Sequence, residues 1–250
     1  LSLRSAPTVA RKTNSKPGSL RNIAVIPARG GSRRISNKNI RLFAGRPLIE
    51  YAIALAHSSG LFERVIVSTD SADIRDVAET ADAEVPFMRP AGLADDHATT
   101  AAVLHHALAA IDAERKYDFA CCIYPATPFT TIEDLVEGWA LVADNGAPTS
   151  LAVTRFAAPI WRAFERRADQ TISMVWPEHR DTRSQDLPET FHDAGQFYWV
   201  SVPAFMEDPV LISARSGGVV YERWRAHDID TEEDWVRAEL IFRSIEKDRT

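Results

Sequence analysis

Residues 23–39 read "IAVIPARGGSRRISNKN", and the reading of this stretch decides the fold. Ile23, Val25 and Ile26 make a short β-branched run of the kind found in strands buried on both faces of a sheet. Gly30 and Gly31 follow it, where the backbone can turn sharply and expose successive N–H groups. Arg29, Arg33, Arg34 and Lys38 then add positive charge, arginine as a fork that matches phosphate oxygens and lysine as a point charge. The spacing is neither G-x-G-x-x-G nor G-x-x-x-x-G-K-[ST], so neither a dinucleotide fingerprint nor a P-loop is supported. Taken alone, the segment reads as a polyphosphate cradle or as a solvated surface turn.

Working outward, short apolar runs alternate with helical patterns. The strands are expected at Ile23–Pro27, Arg64–Ser68, Glu84–Met88, Phe119–Tyr124, Ser150–Thr154 and Gln196–Ser201. Between them the periodicity predicts helices at Leu48–Ser59, stopped by Gly60, and at Ser71–Ala81, Thr99–Ala113 and Ile132–Asn145. Such alternation predicts an α/β fold, a mostly parallel sheet covered by helices on both faces. Ligands of these sheets lie beyond the carboxyl ends of the strands. Chemistry is therefore expected in Ala28–Asn39, Thr69–Asp70, Arg89–His97 and Pro125–Thr130. Phe156–Glu189 breaks the rhythm with mixed aromatics, prolines and charges and reads as an insertion. From Thr231 a last amphipathic helix places Trp235, Ala238 and Ile241 or Phe242 on one side.

The 250 residues suit one main core over 21–250, with 1–20 expected as a flexible basic tail lacking the apolar stretch of a secretory signal. A net charge of −6 argues against a nucleic-acid partner, whose phosphates call for a strongly basic face. No run approaches the roughly 18 apolar residues of a membrane-spanning helix. A soluble, cytoplasmic protein without a membrane partner is expected. Cys121 and Cys122 are neighbours in an apolar strand, point to opposite faces and should stay unbridged.

A second charged feature is "HDIDTEED", residues 227–234. On an extended segment Asp228 and Asp230 face the same side, the spacing expected of ligands for a hard cation such as Mg²⁺. The plain alternative is that Asp230 or Thr231 caps the last helix while the acidic residues after it favour its positive end; both can hold together. Asp70 ends a strand at the crevice, with capping by Asp70 or Ser71 as the default. "CCIYPATPF" places small and hydroxyl-bearing residues after the fourth strand, where a base or sugar could lie. His57, His105 and His106 fall within helical patterns, whereas His97 and His192 occupy candidate crevice loops. Neither zinc-ligand spacing nor a G-x-S-x-G nucleophile motif occurs.

Six ordered blocks, "IPARGGSRRISNKN", "VSTDS", "RPAGLADDHAT", "YPATPF", "HDAGQFYW" and "DIDTEEDW", span nearly all of Ile23 to Trp235. Together they resemble the cytidylyltransferases that activate nine-carbon acidic sugars. Arg34, Tyr124 in place of a glutamine usual in sialic acid enzymes, and "HDAGQFYW" incline the resemblance to the pseudaminate branch. Arg33 stands where the family usually has lysine and Ser36 where proline is usual. The resemblance implies a Rossmann-like three-layer α/β/α nucleotidyltransferase and a reaction of CTP with the sugar, pseudaminic acid, to give CMP-sugar and pyrophosphate.

The resemblance also implies roles. Ala28, Arg29, Gly30, Gly31, Ser32, Arg33, Lys38 and Asn39 would bind the nucleotide, with Asp70 and Arg89 close by. Asp228 and Asp230 would hold Mg²⁺, and His97, Tyr124, His192, Asp193, Gln196 and Tyr198 would face the sugar. Arg29, Arg33, Lys38 and Asp230 would be catalytic, with the proton acceptor open between a hydroxide and a carboxylate such as Asp230. The 156–189 insertion would be a small dimer lobe, making the protein a homodimer. Within the class, the alternatives are CMP-sialate, CMP-legionaminate or CMP-Kdo synthesis. Outside it stand a non-catalytic CTP-binding module and an RNA binder using the basic loop, the last opposed by the net charge.

Overall fold

The computed structural model describes residues 21–32, 34–95, 97–113 and 116–248. The expected tail, 1–20, and Arg33 lie outside the described residues. The first half of the chain runs β1 (Asn22–Pro27), a small ribbon β2 (Leu42–Phe43) and β3 (Arg46–Pro47), α1 (Leu48–Ser59), β4 (Arg64–Ser68), α2 (Ala72–Thr80) and α3 (Thr100–Ala110). Then come β5 (Phe119–Ile123), α4 (Ile132–Ala143), β6 (Thr149–Arg155), β7 (Phe164–Arg166) and β8 (Ile172–Met174). The chain closes with β9 (Phe191–Ser201), α5 (Val202–Glu207), β10 (Gly217–Tyr221) and α6 (Glu232–Asp248).

Six strands form the central sheet in the order β10-β6-β9-β5-β1-β4. β1 pairs in parallel with β4 and β5, and β10 with β6, while β9 runs antiparallel between β5 and β6. The expected mostly parallel sheet is therefore present, with β9 as its one reversed strand. Successive side chains alternate between two cores, as strand geometry requires. Ala24, Ile26, Cys121 and Trp199 pack with residues of α1, α2 and α4; Ile23, Val25, Cys122 and Val200 pack with α3 and α5. Cys121 and Cys122 are thus buried, free and on opposite faces, as anticipated.

One expected strand is absent and one strand forms that was not expected. Glu84–Met88 does not form a strand; it lies along β4 through two isolated bridges, Ile66 to Glu84 and Thr69 to Met88. Pro86 lacks the N–H that a continuous ladder would need there. At the far edge, β10 forms from "GGVVY", where the alternation of buried Val219 and Tyr221 with exposed Val220 is too short to stand out beside two glycines.

β9 also begins at Phe191, five residues ahead of the expected start. Its register against β6 shifts between Leu151 and Val153, and Gly195 sits there at φ 61°. Only glycine enters that left-handed region without strain. This irregularity has a consequence for side-chain direction: residues 193 and 198, which regular alternation would send to opposite faces, meet on one.

A third apolar cluster holds the crevice together from outside the sheet. Ile35, Phe43, Leu48 and Phe129 pack with Ile229, Trp235 and Ala238, which docks α6 over the ribbon and the start of α1. Phe43 contacts Trp235 and Phe242 edge to face, at 5.5 and 5.4 Å. The insertion between β6 and β9 contains the β7–β8 hairpin and short 3₁₀ turns rather than another βα unit.

Candidate active site

From β1 the chain steps to β4 on one side and later to β5 on the other, so the sheet changes direction at β1. An open cavity of about 550 Å³ lies there, beyond the carboxyl ends of β1 and β5. Arg29, Ser32, Arg34, Lys38 and Asn39 wall one side, Arg89, Thr100, Tyr124 and Pro125 the other, and Asp230 closes it. This is where open α/β sheets bind ligands.

The cation loop is fastened in stages. Ala28 N–H donates to Ser68 O at 3.0 Å and Gly30 N–H to Asp70 Oδ1 at 2.9 Å. A Cβ on Gly30 would lie 2.9 Å from Ser71 Cβ, so the loop approaches α2 as closely as only glycine allows. Ser71 caps α2 by accepting from Ile74 N–H, which leaves the Asp70 carboxylate to the loop. Ser32 N–H donates to Gly30 O at 3.0 Å. Two of the three amides expected to cradle phosphate, those of Gly30 and Ser32, are therefore engaged within the protein. Asn39, buried, donates from Nδ2 to Arg29 O at 3.0 Å and ties the two ends of the loop.

Opposite the loop stand the carboxylates. Thr231 caps α6 and Asp234 returns the contact, accepting from Thr231 N–H at 3.0 Å while its own N–H donates to Thr231 Oγ1 at 3.2 Å. That reciprocal box satisfies the helix start without Asp230. The Asp230 carboxylate instead meets Arg34 Nη2 at 2.5 Å and Lys38 Nζ at 3.2 Å, and Lys38 also donates to Ile229 O at 2.7 Å. Ile229 is buried in the third cluster, so Asp228 and Asp230 turn together away from it. Asp228 is exposed and outside the cavity lining; the protein around it and then the charge of Asp230 push its carboxyl above the usual range. Among the described residues no group of three or more His, Cys, Asp or Glu side chains converges. Two carboxylates completed by phosphate oxygens are the donor set Mg²⁺ commonly takes, and this pair fits it.

Arg225 fixes the approach to these carboxylates. Its guanidinium pairs with Asp134, donates to Phe129 O and lies 4.4 Å from the Tyr221 ring centre. Asp134 belongs to the capping box of α4 with Thr131. One buried ion pair thus joins α4, the loop after β5 and the segment that leads to Asp228.

Tyr124 lines the cavity, with the buried Tyr198 packed behind it. Tyr124 and Tyr198 have ring centroids 5.6 Å apart; Tyr124 Oη is 2.6 Å from Thr100 Oγ1, and Tyr198 donates to Asp193 Oδ2 at 2.5 Å. Burial, chiefly, raises both phenols above their ordinary value, with Asp193 adding to the effect on each. Both therefore remain protonated donors at neutral pH. Arg89 is only 6 % exposed and bonds the Ser68 hydroxyl and carbonyl; burial lowers its pKa and Asp70 offsets part of this. No carboxylate among the described residues pairs with it directly.

Other sequence candidates sit less centrally. Gln196 is buried, its amide bonded to Thr130 Oγ1 and Ala194 O, so it braces the wall rather than opening onto the cavity. His97 and His192 are exposed, the latter packed 4.8 Å from Phe156. Asp70 holds the loop and does not line the cavity. Sequence reading assigned no role to Arg225 or Asp134, whose partnership across 91 positions leaves no local pattern. Arg34 was legible as a charge, but its partner was not.

Similarity to known proteins agrees with this geometry. The model of the cytidylyltransferase family matches residues 23–232. A pseudaminic acid cytidylyltransferase of Campylobacter jejuni is 36% identical over 225 residues, 90% of this chain and 97% of the relative. The CMP-N,N'-diacetyllegionaminic acid synthase of Legionella pneumophila is 30% identical over 89% of this chain and 97% of the relative. A solved CMP:2-keto-3-deoxy-manno-octonic acid synthetase complexed with CTP has a TM-score of 0.65 at 16% identity, covering 90% of this chain and 99% of that one, a likeness of fold. A crevice walled by cations on one side and closed by Asp230, in a chain matched over residues 23–232, gives the conclusion that the protein belongs to the cytidylyltransferase family.

Proposed function

We propose that the protein transfers CMP from CTP to the anomeric hydroxyl of pseudaminic acid, releasing pyrophosphate. The observation that carries this is the cavity at the sheet's switch point, where cations of the β1 loop face Asp230 in a chain 36% identical to a pseudaminic acid cytidylyltransferase. Attack on the α-phosphorus builds charge on its non-bridging oxygens and on the departing pyrophosphate, so electrostatic stabilisation is the main requirement. Arg29 and Lys38 meet it from the loop, with Arg33 alongside them in sequence. Asn39 keeps the loop's two ends in register, and Arg89 presents a buried positive charge to the nucleotide. Asp228 and Asp230 would hold Mg²⁺, which when bound neutralises phosphate charge and orients the reacting oxygens. Tyr124 on the far wall, backed by Tyr198 and Asp193, would hydrogen-bond the sugar, and His97 and His192, both exposed and outside the cavity lining, would meet it from the surrounding loops.

The same proposal includes a cytoplasmic homodimer. Phe164, Ile172 and Val175 of the insertion are 56%, 60% and 48% exposed, an apolar face suited to a second copy. Light scattering at micromolar concentration should give twice the monomer mass.

Pyrophosphate release, measured with CTP and pseudaminic, legionaminic, sialic and 3-deoxy-manno-octulosonic acids, tests the function. The highest kcat/KM is expected for pseudaminic acid. Turnover of another acid in preference to it moves the substrate assignment. CTP binding without turnover of any acceptor replaces the enzyme with a binding module.

A further inference from the structure

Building on the function proposed above, we infer that Gln196 is a positioning residue: it touches no substrate, and it fixes the Asp228 carboxylate relative to Tyr124, the residue against which the sugar would lie.

Gln196 is 1% exposed and does not line the cavity. A side-chain amide is stable at such depth only where its polar atoms find partners, and here the partners come from both sides of the crevice. Its Nε2 donates to Ala194 O at 2.8 Å and to His227 O at 3.4 Å, and its Oε1 accepts from Thr130 Oγ1 at 3.3 Å. Its main-chain carbonyl accepts from Tyr124 N–H at 2.9 Å. The backbone of Gln196 thus holds the cavity wall while its side chain holds the segment that carries the carboxylates. The His227 carbonyl and the Asp228 N–H belong to one planar peptide, so a hold on that oxygen sets the direction in which Asp228 leaves the chain. Phe129 brings the segment to this point, since Arg225 donates to its carbonyl and the His227 ring packs 5.2 Å from its own. Asp230 is fastened from the opposite side, through Ile229 in the third cluster and the box at Thr231. Only an amide gives N–H to two carbonyls and takes a hydroxyl proton at the same position. Methionine would fill the space without bridging it.

Gln196→Met should lower kcat and the affinity of nucleotide-free protein for Mn²⁺, followed by electron paramagnetic resonance, each about tenfold. Its KM for CTP should stay within about twofold, because the cation loop is untouched. Thr130→Val is the comparison: it removes another bond of the same amide, leaves the one to His227, and should keep kcat and Mn²⁺ affinity within about twofold. Equal losses in the two variants, or wild-type values in Gln196→Met, overturn the positioning role and leave the proposed function standing. A wild type that releases no pyrophosphate with any acceptor overturns the function and the role together. Amide hydrogen exchange on the wild type needs no substitution to fold. Mn²⁺ should slow exchange in 193–197 as well as in 226–230, and protection confined to 226–230 overturns the link.

Discussion

The loop at 28–39 and the segment at 222–234 bring opposite charges to one cavity and are built in opposite ways. The carboxylate segment hangs between a buried ion pair, Arg225 with Asp134, and the Thr231–Asp234 box that starts α6. The cation loop is held by single contacts: backbone hydrogen bonds, Asp70, Asn39, the Ile35 side chain in the third cluster, and exposed or half-buried pairs of Arg34 and Lys38 with the carboxylate segment. The carboxylate segment is fastened through the core, and the cation loop by contacts nearer the surface. Damage to the first should register as lost stability or lost chemistry, and damage to the second as weaker nucleotide binding.

Asp230→Asn separates chemistry from fastening most sharply. It keeps the shape of the side chain and leaves the helix box intact, yet removes the charge that faces Lys38 and Arg34. Turnover should fall about a thousandfold, while the urea midpoint moves by the equivalent of less than about 1 kcal/mol. A large loss of stability would mean that Asp230 is structural. Arg225→Met attacks the fastening itself. Asp134, whose side chain is 9% exposed, would be left without its cation, and unfolding in urea should show a loss of about 3 kcal/mol. Adding Asp134→Leu should restore part of that loss, less about 1 kcal/mol for the missing cap of α4. If the single substitution costs under about 1 kcal/mol, the two regions are fastened alike and the contrast is lost.

Much of this architecture can be read from local pattern. α1 occupies Leu48–Ser59 and β4 Arg64–Ser68, the spans the sequence predicts, because α1 repeats one apolar face and stops at Gly60 while β4 is a short β-branched run buried on both faces. The cation loop and the Asp228–Asp230 pair are equally legible, since each is a short charged motif at an element's end. What was hidden depends on partners distant in the chain. Neither β10 nor the reversed β9 can be placed without knowing which strands flank them, and the irregularity at Gly195 interrupts the alternation that would reveal the start of β9. Arg225 and Asp134 look like ordinary surface charges in sequence, and only the packing of α4 against the returning chain buries them together.

Gly30→Ala tests the lighter fastening at its tightest point. The added Cβ would sit 2.9 Å from Ser71 Cβ, which is the root of the α2 cap and cannot swing away. The loop must retreat and loosen the Gly30 N–H contact with Asp70. Stability should drop by about 1–2 kcal/mol, and the KM for CTP should rise about tenfold as the cations move off register. Unchanged KM with the same loss of stability would show that this end of the loop does not set the cations.

The smallest effect is expected at Asn37, where the loop turns toward Lys38. Asn37 has φ 51° and ψ 34°, a left-handed conformation, and its carbonyl accepts from both Ile40 N–H and Arg41 N–H at 3.0 Å. Those two contacts form the turn that carries Lys38 and Asn39. Asparagine tolerates this backbone better than other residues with a Cβ, and glycine tolerates it without steric penalty. Asn37→Ala should therefore destabilise the protein by about 1 kcal/mol and raise the KM for CTP a few-fold, with kcat preserved. Asn37→Gly should leave KM near the wild-type value, because the turn geometry survives. The pair distinguishes backbone strain from any contact made by the asparagine side chain: if Asn37→Gly raises KM as much as Asn37→Ala does, the side chain itself touches the nucleotide. In that case the light fastening of the loop extends one residue less than its backbone contacts indicate.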